Sequence, residues 1–403
     1  MLFNQKILKN LIALLGVQGV NYIFPLLSVA VVARALGIEH LGLLIIAQAI
    51  SVYVQQATDF GFNLTATRKV ALCHGESREL NIVFTSTIFA KLIVFTLATL
   101  VYLIACLFVE SLRDSIELVS ILLIGIFSSI FYPIWLFQGV EKMQNIFVGN
   151  FITKTSSLLL MLLFVNSPED LYLAALIQSI SWVLVALYSI FIIYKFDYCQ
   201  FKRVNITAIS ATIKESSYIY FSVLANSFYT SFNIILLGVV STPELAAAYG
   251  IADKLRLAAQ SFIGVFAQAL YPFFCSRVGY DSAAFWGSAA LGLGSGLLFY
   301  FFAPFAVYVL SGSGYENAIP VVQVFSLLCP IIAISNYYSK LKIAARGEHR
   351  VFLTVYLFCA ASHLSYVSFF INWGGIVGLS ISVVVTELIL ALLMIAFSLK
   401  IHR

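Results

Sequence analysis

About twelve apolar stretches, each long enough to cross a bilayer, occupy almost the whole of this chain, at 11–33, 41–58, 81–108, 116–137, 145–165, 171–194, 216–240, 245–275, 284–309, 319–342, 351–371 and 375–399. A spanning helix needs about 20 mainly apolar residues, and helices suit the hydrocarbon because they satisfy their own backbone groups. The cations between the stretches fall on one side. With the N-terminus inside, the inside loops and tails hold Lys6, Lys9, Arg68, Lys69, Arg78, Lys142, Lys195, Lys202, Arg203, Lys214, Arg277, Lys342, Arg346, Arg350, Lys400 and Arg403. The outside loops hold only Arg34 and Arg113. Positive charge marks the cytoplasmic side, so the pattern predicts a multi-pass protein of the bacterial inner membrane with both termini in the cytoplasm.

Composition agrees: 61% of the residues are hydrophobic and the mean hydropathy is +0.99, outside the soluble range. The net charge of +5 sits beside helix ends, where topology explains it, and no nucleic-acid partner is expected. The cysteines at 73, 106, 199, 275, 329 and 359 show neither metal-ligand spacing nor the framework of a secreted domain, and their positions in the membrane or on its inner side argue against disulfides. Ala33-Arg34-Ala35 imitates a signal cleavage site, but the preceding apolar run is too long for a signal-peptide core and reads as the first spanning helix.

The loops exclude several functions. Each outside loop is about a dozen residues or fewer, too short to hold the catalytic groups of a membrane glycosyltransferase, polymerase or ligase. The longest connection, near 195–215, faces inside. No glycine-rich phosphate loop ending in Lys-Ser/Thr is present, so the chain carries no nucleotide motor. The Asn63-Leu64-Thr65 and Asn205-Ile206-Thr207 glycosylation patterns are expected to face the cytoplasm and are discarded. Gly287, Gly292, Gly294 and Gly296 lie in an apolar helix with no preceding strand, which suits helix packing rather than dinucleotide binding. No cofactor and no enzymatic chemistry are expected.

A shift of 205 positions lays the start of the second half on the first, matching Asn21 to Asn226, Phe24 to Tyr229, Glu39 to Glu244, Ala47 to Ala252 and Gln55 to Gln260. A shift of 208 matches Gly139 to Gly347. Six helices per half is an even number, so both halves point the same way. The expected fold is all-α, with twelve transmembrane helices in two six-helix lobes, 1–200 and 201–403, around a central cavity.

Ionisable residues inside these helices are the candidate site. Lys91, Lys154, Lys254 and Glu387 fall near the midplane, with Asp253 and Arg256 beside Lys254. Each costs roughly 2.5–3.5 kcal/mol on the insertion scale, so they must line a wet cavity or be paired. Asp253 and Arg256 are three apart and share a helix face, which allows mutual neutralisation. Neither Lys91 nor Lys154 has an acidic residue within a helical turn, which favours a cavity lining for them and for Lys254. The excess positive charge, Lys91, Lys154, Lys254 and Arg256, suits an anionic headgroup. Asp59, Asp253 and Glu387 are the candidates for ion coupling, although Asp59, at the cytoplasmic end of its helix, reads first as an interfacial cap. His363 reads as a satisfied packing residue. Gln18, Asn21, Gln48, Gln55, Asn226, Asn233, Gln260 and Gln268 suit sugar hydroxyls or, equally, helix–helix hydrogen bonds. Pro25, Pro133, Pro304 and Pro330 are expected to bend their helices.

Several strings resemble a known family. "VARALGIEHLGLLIIAQAI" followed by "DFGFNLTATRKVA" resembles the opening of the polysaccharide-unit flippases, the O-antigen transporter branch of the multidrug/oligosaccharidyl-lipid/polysaccharide exporter superfamily. "YPIWLFQGVEKMQ" is similar to that family's Pro-x-Trp-x-x-Gln-Gly-x-Glu turn, "YGIADKLRLAAQSFIGVFAQALYPFF" to its eighth helix, and "LSGSGYENAIPVVQVFSLLCP" to its ninth connection. The resemblance implies export of undecaprenyl-diphosphate-linked oligosaccharide, such as the O-antigen unit of lipopolysaccharide, by ion-coupled alternating access. It also implies contact with membrane lipid, and a polysaccharide polymerase and chain-length regulator as partners. A cation-coupled antiporter for drugs or small metabolites in the same superfamily is the alternative. A membrane enzyme acting on lipid-linked sugars is a second alternative.

Overall fold

The computed structural model describes the backbone of residues 2–73, 77–276, 281–343 and 350–401 and most of their side chains. The side chains of Gln18, Asn21 and Gln268, and those of Lys6, Lys9, Arg277, Arg346, Arg350 and Arg403, lie outside the described residues. The described residues form helices and short turns, with no strand among them. They comprise α1 (Leu2–Asp59), α2 (Phe62–Leu72), α3 (Ser77–Phe108), α4 (Glu110–Asp114), α5 (Ile116–Ser129), α6 (Ile134–Gly139), α7 (Met143–Phe164) and α8 (Leu171–Lys195). The second half holds α9 (Ile206–Thr230), α10 (Phe232–Val240), α11 (Pro243–Ser276), α12 (Asp281–Phe301), α13 (Ala303–Ser311), α14 (Ala318–Phe325), α15 (Leu328–Asn336), a π-turn (Tyr337–Ile343) and α16 (Arg350–Ile401).

Among the described residues, seven helices are long and apolar enough to cross a membrane, or nine when each bent pair counts as one span. This is a multi-span membrane protein. Two helices contain two crossing lengths each. The expected loop at 34–40 is instead helical, and α1 turns at Gly37 alone, whose φ of 74° is a conformation glycine adopts without a Cβ clash. Likewise α16 breaks at Gly374 and at Gly375, where φ is 55°. Separating these arms and adding α11, which carries Asp253, Lys254 and Arg256, brings the described helices to the twelve expected. Large apolar side chains such as Leu107, Phe108, Phe164, Phe301 and Phe369 remain exposed, as membrane-facing surfaces require.

The prolines behave unequally. Pro133 falls between α5 and α6, and Pro304 opens α13 after a 63° bend. The break before α15 precedes Pro330. At Pro25 the expected bend produces no break, since Gly37 is where α1 leaves helical dihedrals.

The chain groups into two compact units. One comprises Met1–Arg34, Ala225–Leu237 and Glu244–Arg403; the other comprises Ala35–Leu224 and Gly238–Pro243. Each therefore draws on both of the expected halves, 1–200 and 201–403. In the second unit Trp135, Leu136 and Phe137 of α6 are fully buried against Phe84, Ile88 and Ile130. The Pro-x-Trp-x-x-Gln-Gly string is thereby a packing device. Thr67 on α2 donates to Gln138 Oε1 (3.2 Å), and a Cβ at Gly139 would stand 2.4 Å from Val70. The start of α9 belongs to this unit. It is held to α2 by the Lys69–Glu215 ion pair and by a 2.6 Å bond between Thr65 and Ser216.

Candidate functional site

In the unit built on Ala35–Leu224, the chain turns at Phe60 and Gly61, both with positive φ, immediately after α1 ends at Asp59. That placement brings the carboxylate to α3. Lys91 Nζ donates to Asp59 Oδ1 at 2.8 Å. Gln55, one turn earlier on α1, donates from Nε2 to Asp59 Oδ2 at 3.1 Å. Its Oε1 accepts from Ser129 Oγ at 3.2 Å. Three helices thus meet in one polar chain, and both carboxylate oxygens have donors. The pair is lopsided in burial: the Lys91 side chain is 3% exposed and that of Asp59 is 31% exposed. A nearly dry ammonium is balanced by a carboxylate that remains partly open. This partner lies 32 residues away in sequence, where a search within one helical turn of Lys91 does not reach.

The other unit holds its charges differently. Arg256 donates from Nε at 2.8 Å and from Nη2 at 2.5 Å to Oδ1 of Asp253, one turn back on α11. Both side chains are buried, and the guanidinium lies 5.5 Å from the ring centre of Phe325. Tyr249, fully buried, meets the same ring edge-on. Glu387 on α16 acts electrostatically on Arg256. Lys254 is half-buried and, one residue along α11 from Asp253, points about 100° away from it. Lys154, in the unit built on Ala35–Leu224, is half-buried on α7.

Beside this pair runs a buried network built on a residue expected only to pack. His363 is fully buried. Its Nδ1 lies 2.8 Å from Thr386 Oγ1 and its Nε2 lies 3.0 Å from Asn233 Oδ1. The Asn233 amide nitrogen is committed to the Tyr229 carbonyl, so its Oδ1 accepts from Nε2–H, and in the neutral ring Nδ1 accepts from the Thr386 hydroxyl. Tyr366 also reaches Thr386, at 2.6 Å, and Asn233 Nδ2 donates to the Tyr229 carbonyl at 3.1 Å. His363 is therefore a satisfied residue, as expected, but in a network that also includes Thr386, Tyr366 and Tyr229. The available sequence signal was the three-residue spacing of His363 and Tyr366, which places both on one face. Among the described residues no group of three or more His, Cys, Asp or Glu side chains is arranged to hold a metal.

Known proteins share the scaffold that carries these pairs. The fold is similar to that of a multidrug resistance MATE family transporter of the MOP superfamily in its inward-facing conformation. The TM-score is 0.77 at 16% identity, covering 95% of this chain and 94% of the other. It is also similar to the lipid II flippase MurJ in an inward closed conformation, with a TM-score of 0.76 at 14% identity over 96% and 87% of the two chains. In sequence the chain is 28% identical to a Shigella dysenteriae protein over 96% of this chain and 98% of that one. It is 26% identical to an Escherichia coli (strain K12) protein over 96% of each. Each of these two relatives bears the name "Putative O-antigen transporter". Residues 7–278 match the sequence pattern of the polysaccharide biosynthesis protein family, and the chain belongs to that family.

Proposed function

We propose that this protein is a flippase that moves undecaprenyl-diphosphate-linked oligosaccharide, an O-antigen or similar surface-polysaccharide unit, across the bacterial inner membrane. The observation that carries the reading is the end-to-end similarity to two proteins named for O-antigen transport. The fold shared with a lipid II flippase supports it. The headgroup enters from the cytoplasmic side while the polyprenyl tail stays in lipid, and no bond is made or broken. Both termini lie in the cytoplasm, and a polysaccharide polymerase and a chain-length regulator take over the product.

Asp59 and Lys91 give the transport step a physical form. The Lys91 ammonium is held by the more exposed Asp59 carboxylate. An arriving diphosphate offers Lys91 a stronger, more highly charged acceptor. Once displaced, Asp59 keeps its Gln55 hydrogen bond and can turn to a coupling cation. Substrate binding and ion exchange are then linked at one pair. Lys154 and Lys254 add positive charge for the headgroup, and Glu387 is a further candidate for coupling, while Arg256 and Asp253 hold each other. Deleting the gene is expected to accumulate lipid-linked units on the cytoplasmic face. Unchanged surface polysaccharide with no accumulation would overturn the reading.

A further inference from the structure

Away from these charges, a cavity of about 330 Å³ opens where the start of α12, the π-turn and the end of α16 converge. Phe285 and Trp286 come from α12, Tyr337 and Lys342 from the π-turn, Ser282 from the head of α12 and Ser398 from α16. Aromatic rings form its wall: Phe285 lies 5.4 Å from both Trp286 and Tyr337, edge-on in each case. Lys342 Nζ stands 5.8 Å from the Tyr337 ring centre. The backbone explains that meeting. Residues five apart on an α-helix point about 140° apart, whereas i→i+5 bonding brings them onto one face. The wide turn at Tyr337–Ile343 therefore places a cation and an aromatic ring side by side in the cavity.

Position and composition define what fits. The Lys and Arg distribution assigns this end of α12, α15 and α16 to the cytoplasmic surface. Trp286 is 68% exposed at the rim, and an indole with one apolar and one wet edge suits the headgroup level. Lys400, two residues beyond Ser398 on α16, adds a further cation. Basic pockets between helices on the cytoplasmic side suit anionic headgroups. The volume is at the lower end of ligand sites, which admits a single headgroup and excludes a chain of several sugars.

We propose that this cavity is a binding site for an anionic phospholipid of the cytoplasmic leaflet, of the phosphatidylglycerol class. Its phosphodiester sits on Lys342 and the hydroxyls of Ser282 and Ser398, and its glycerol lies against Phe285 and Tyr337. The acyl chains leave past Trp286 into the bilayer. The site rests on the leaflet assignment above and is separate from the transport reading.

Native mass spectrometry of the purified full chain, equilibrated with equal phosphatidylglycerol and phosphatidylethanolamine, tests it. Wild type is expected to retain phosphatidylglycerol about fivefold over phosphatidylethanolamine, the scale of one interfacial cation. Lys342→Gln is expected to bring the ratio close to one. Trp286→Ala, a change at an exposed rim, is expected to lower phosphatidylglycerol occupancy at least about threefold, and decides the matter where Lys342→Gln fails to fold. Lys195→Gln removes a cation that sits over Phe191 and Phe196 elsewhere, and is expected to leave the ratio unchanged. Enrichment that survives Lys342→Gln and Trp286→Ala, or that falls equally in Lys195→Gln, overturns the proposal. So does displacement of the bound phosphatidylglycerol by undecaprenyl phosphate, which would give the site to the substrate.

Discussion

The two ion pairs solve one problem in opposite ways. Asp253 and Arg256 sit on a single helix, both buried, with Phe325 against the guanidinium. Asp59 and Lys91 belong to different helices, and one member remains partly exposed. A pair within one turn is formed as soon as the helix forms and has little freedom to separate. A pair between helices has an alternative: either partner can turn to a third group, and the exposed carboxylate can be resolvated at low cost. Closed pairs anchor; open pairs can switch.

The sharpest way to break this contrast is to strand one member of the closed pair. Asp253→Ala leaves a buried guanidinium uncompensated and is expected to cost about 3–5 kcal/mol, read as a lower melting temperature and reduced yield of folded protein. Asp253→Leu with Arg256→Met is expected to recover to within about 1 kcal/mol of wild type. A double variant as inactive as the worse single one, at normal yield, would move this pair from anchor to transport machinery.

His363→Ala comes next. It empties a fully buried site and removes one hydrogen-bond partner from each of Thr386 and Asn233, for an expected loss of about 2–3 kcal/mol. His363→Gln, which keeps a donor and an acceptor, is expected to recover part of it. Thermal unfolding in detergent checks both.

At the open pair the expected effect on stability is smaller and the effect on function larger. Lys91→Ala leaves Asp59 part-solvated and still bonded to Gln55, so stability is expected to fall by only about 1 kcal/mol. Export of lipid-linked units is expected to cease, to survive in part with Lys91→Arg, and to cease with Lys91→Asp, which repels the diphosphate. Wild-type export by a folded Lys91→Ala protein would remove Lys91 from the mechanism.

The smallest expected effect sits outside the membrane, where Asp170 caps the turn before α8. Backbone N–H groups of Asn166 and Ser167, and the Ser167 hydroxyl, hold its carboxyl below the ordinary range. A carboxylate with a lowered folded value stabilises above its unfolded value and loses that contribution as pH falls through the folded one. Melting curves of wild type and Asp170→Asn are therefore expected to differ slightly near neutrality and to converge under acid. A difference that grows on acidification would contradict this sign.

Legibility from the sequence followed sequence distance. The twelve crossings and the Asp253–Arg256 pair are local, encoded in runs of apolar residues and in a spacing of three. The Asp59–Lys91 pair was not visible, because joining it takes the turn at Phe60–Gly61 and the packing of α3 on α1. The Pro-x-Trp-x-x-Gln-Gly string was visible as a motif, while its purpose, seating α6 on α2, needed Val70 and Thr67 in place. Charge interrupts hydropathy at 34–40 and predicts a loop there, yet one glycine suffices for the change of direction.

The π-turn at Tyr337–Ile343 has a consequence for counting residues among relatives. A wide turn admits one extra residue while leaving the helix on either side in phase. A relative whose tenth crossing is plain α-helix would present the same face with one residue fewer, Tyr337 and the cation then standing four apart instead of five. Its equivalent of Lys342 would appear one position early, opposite Leu341 in an ungapped alignment. A single-residue gap in that segment, rather than a substituted lysine, is the mark by which a shared cavity would be recognised.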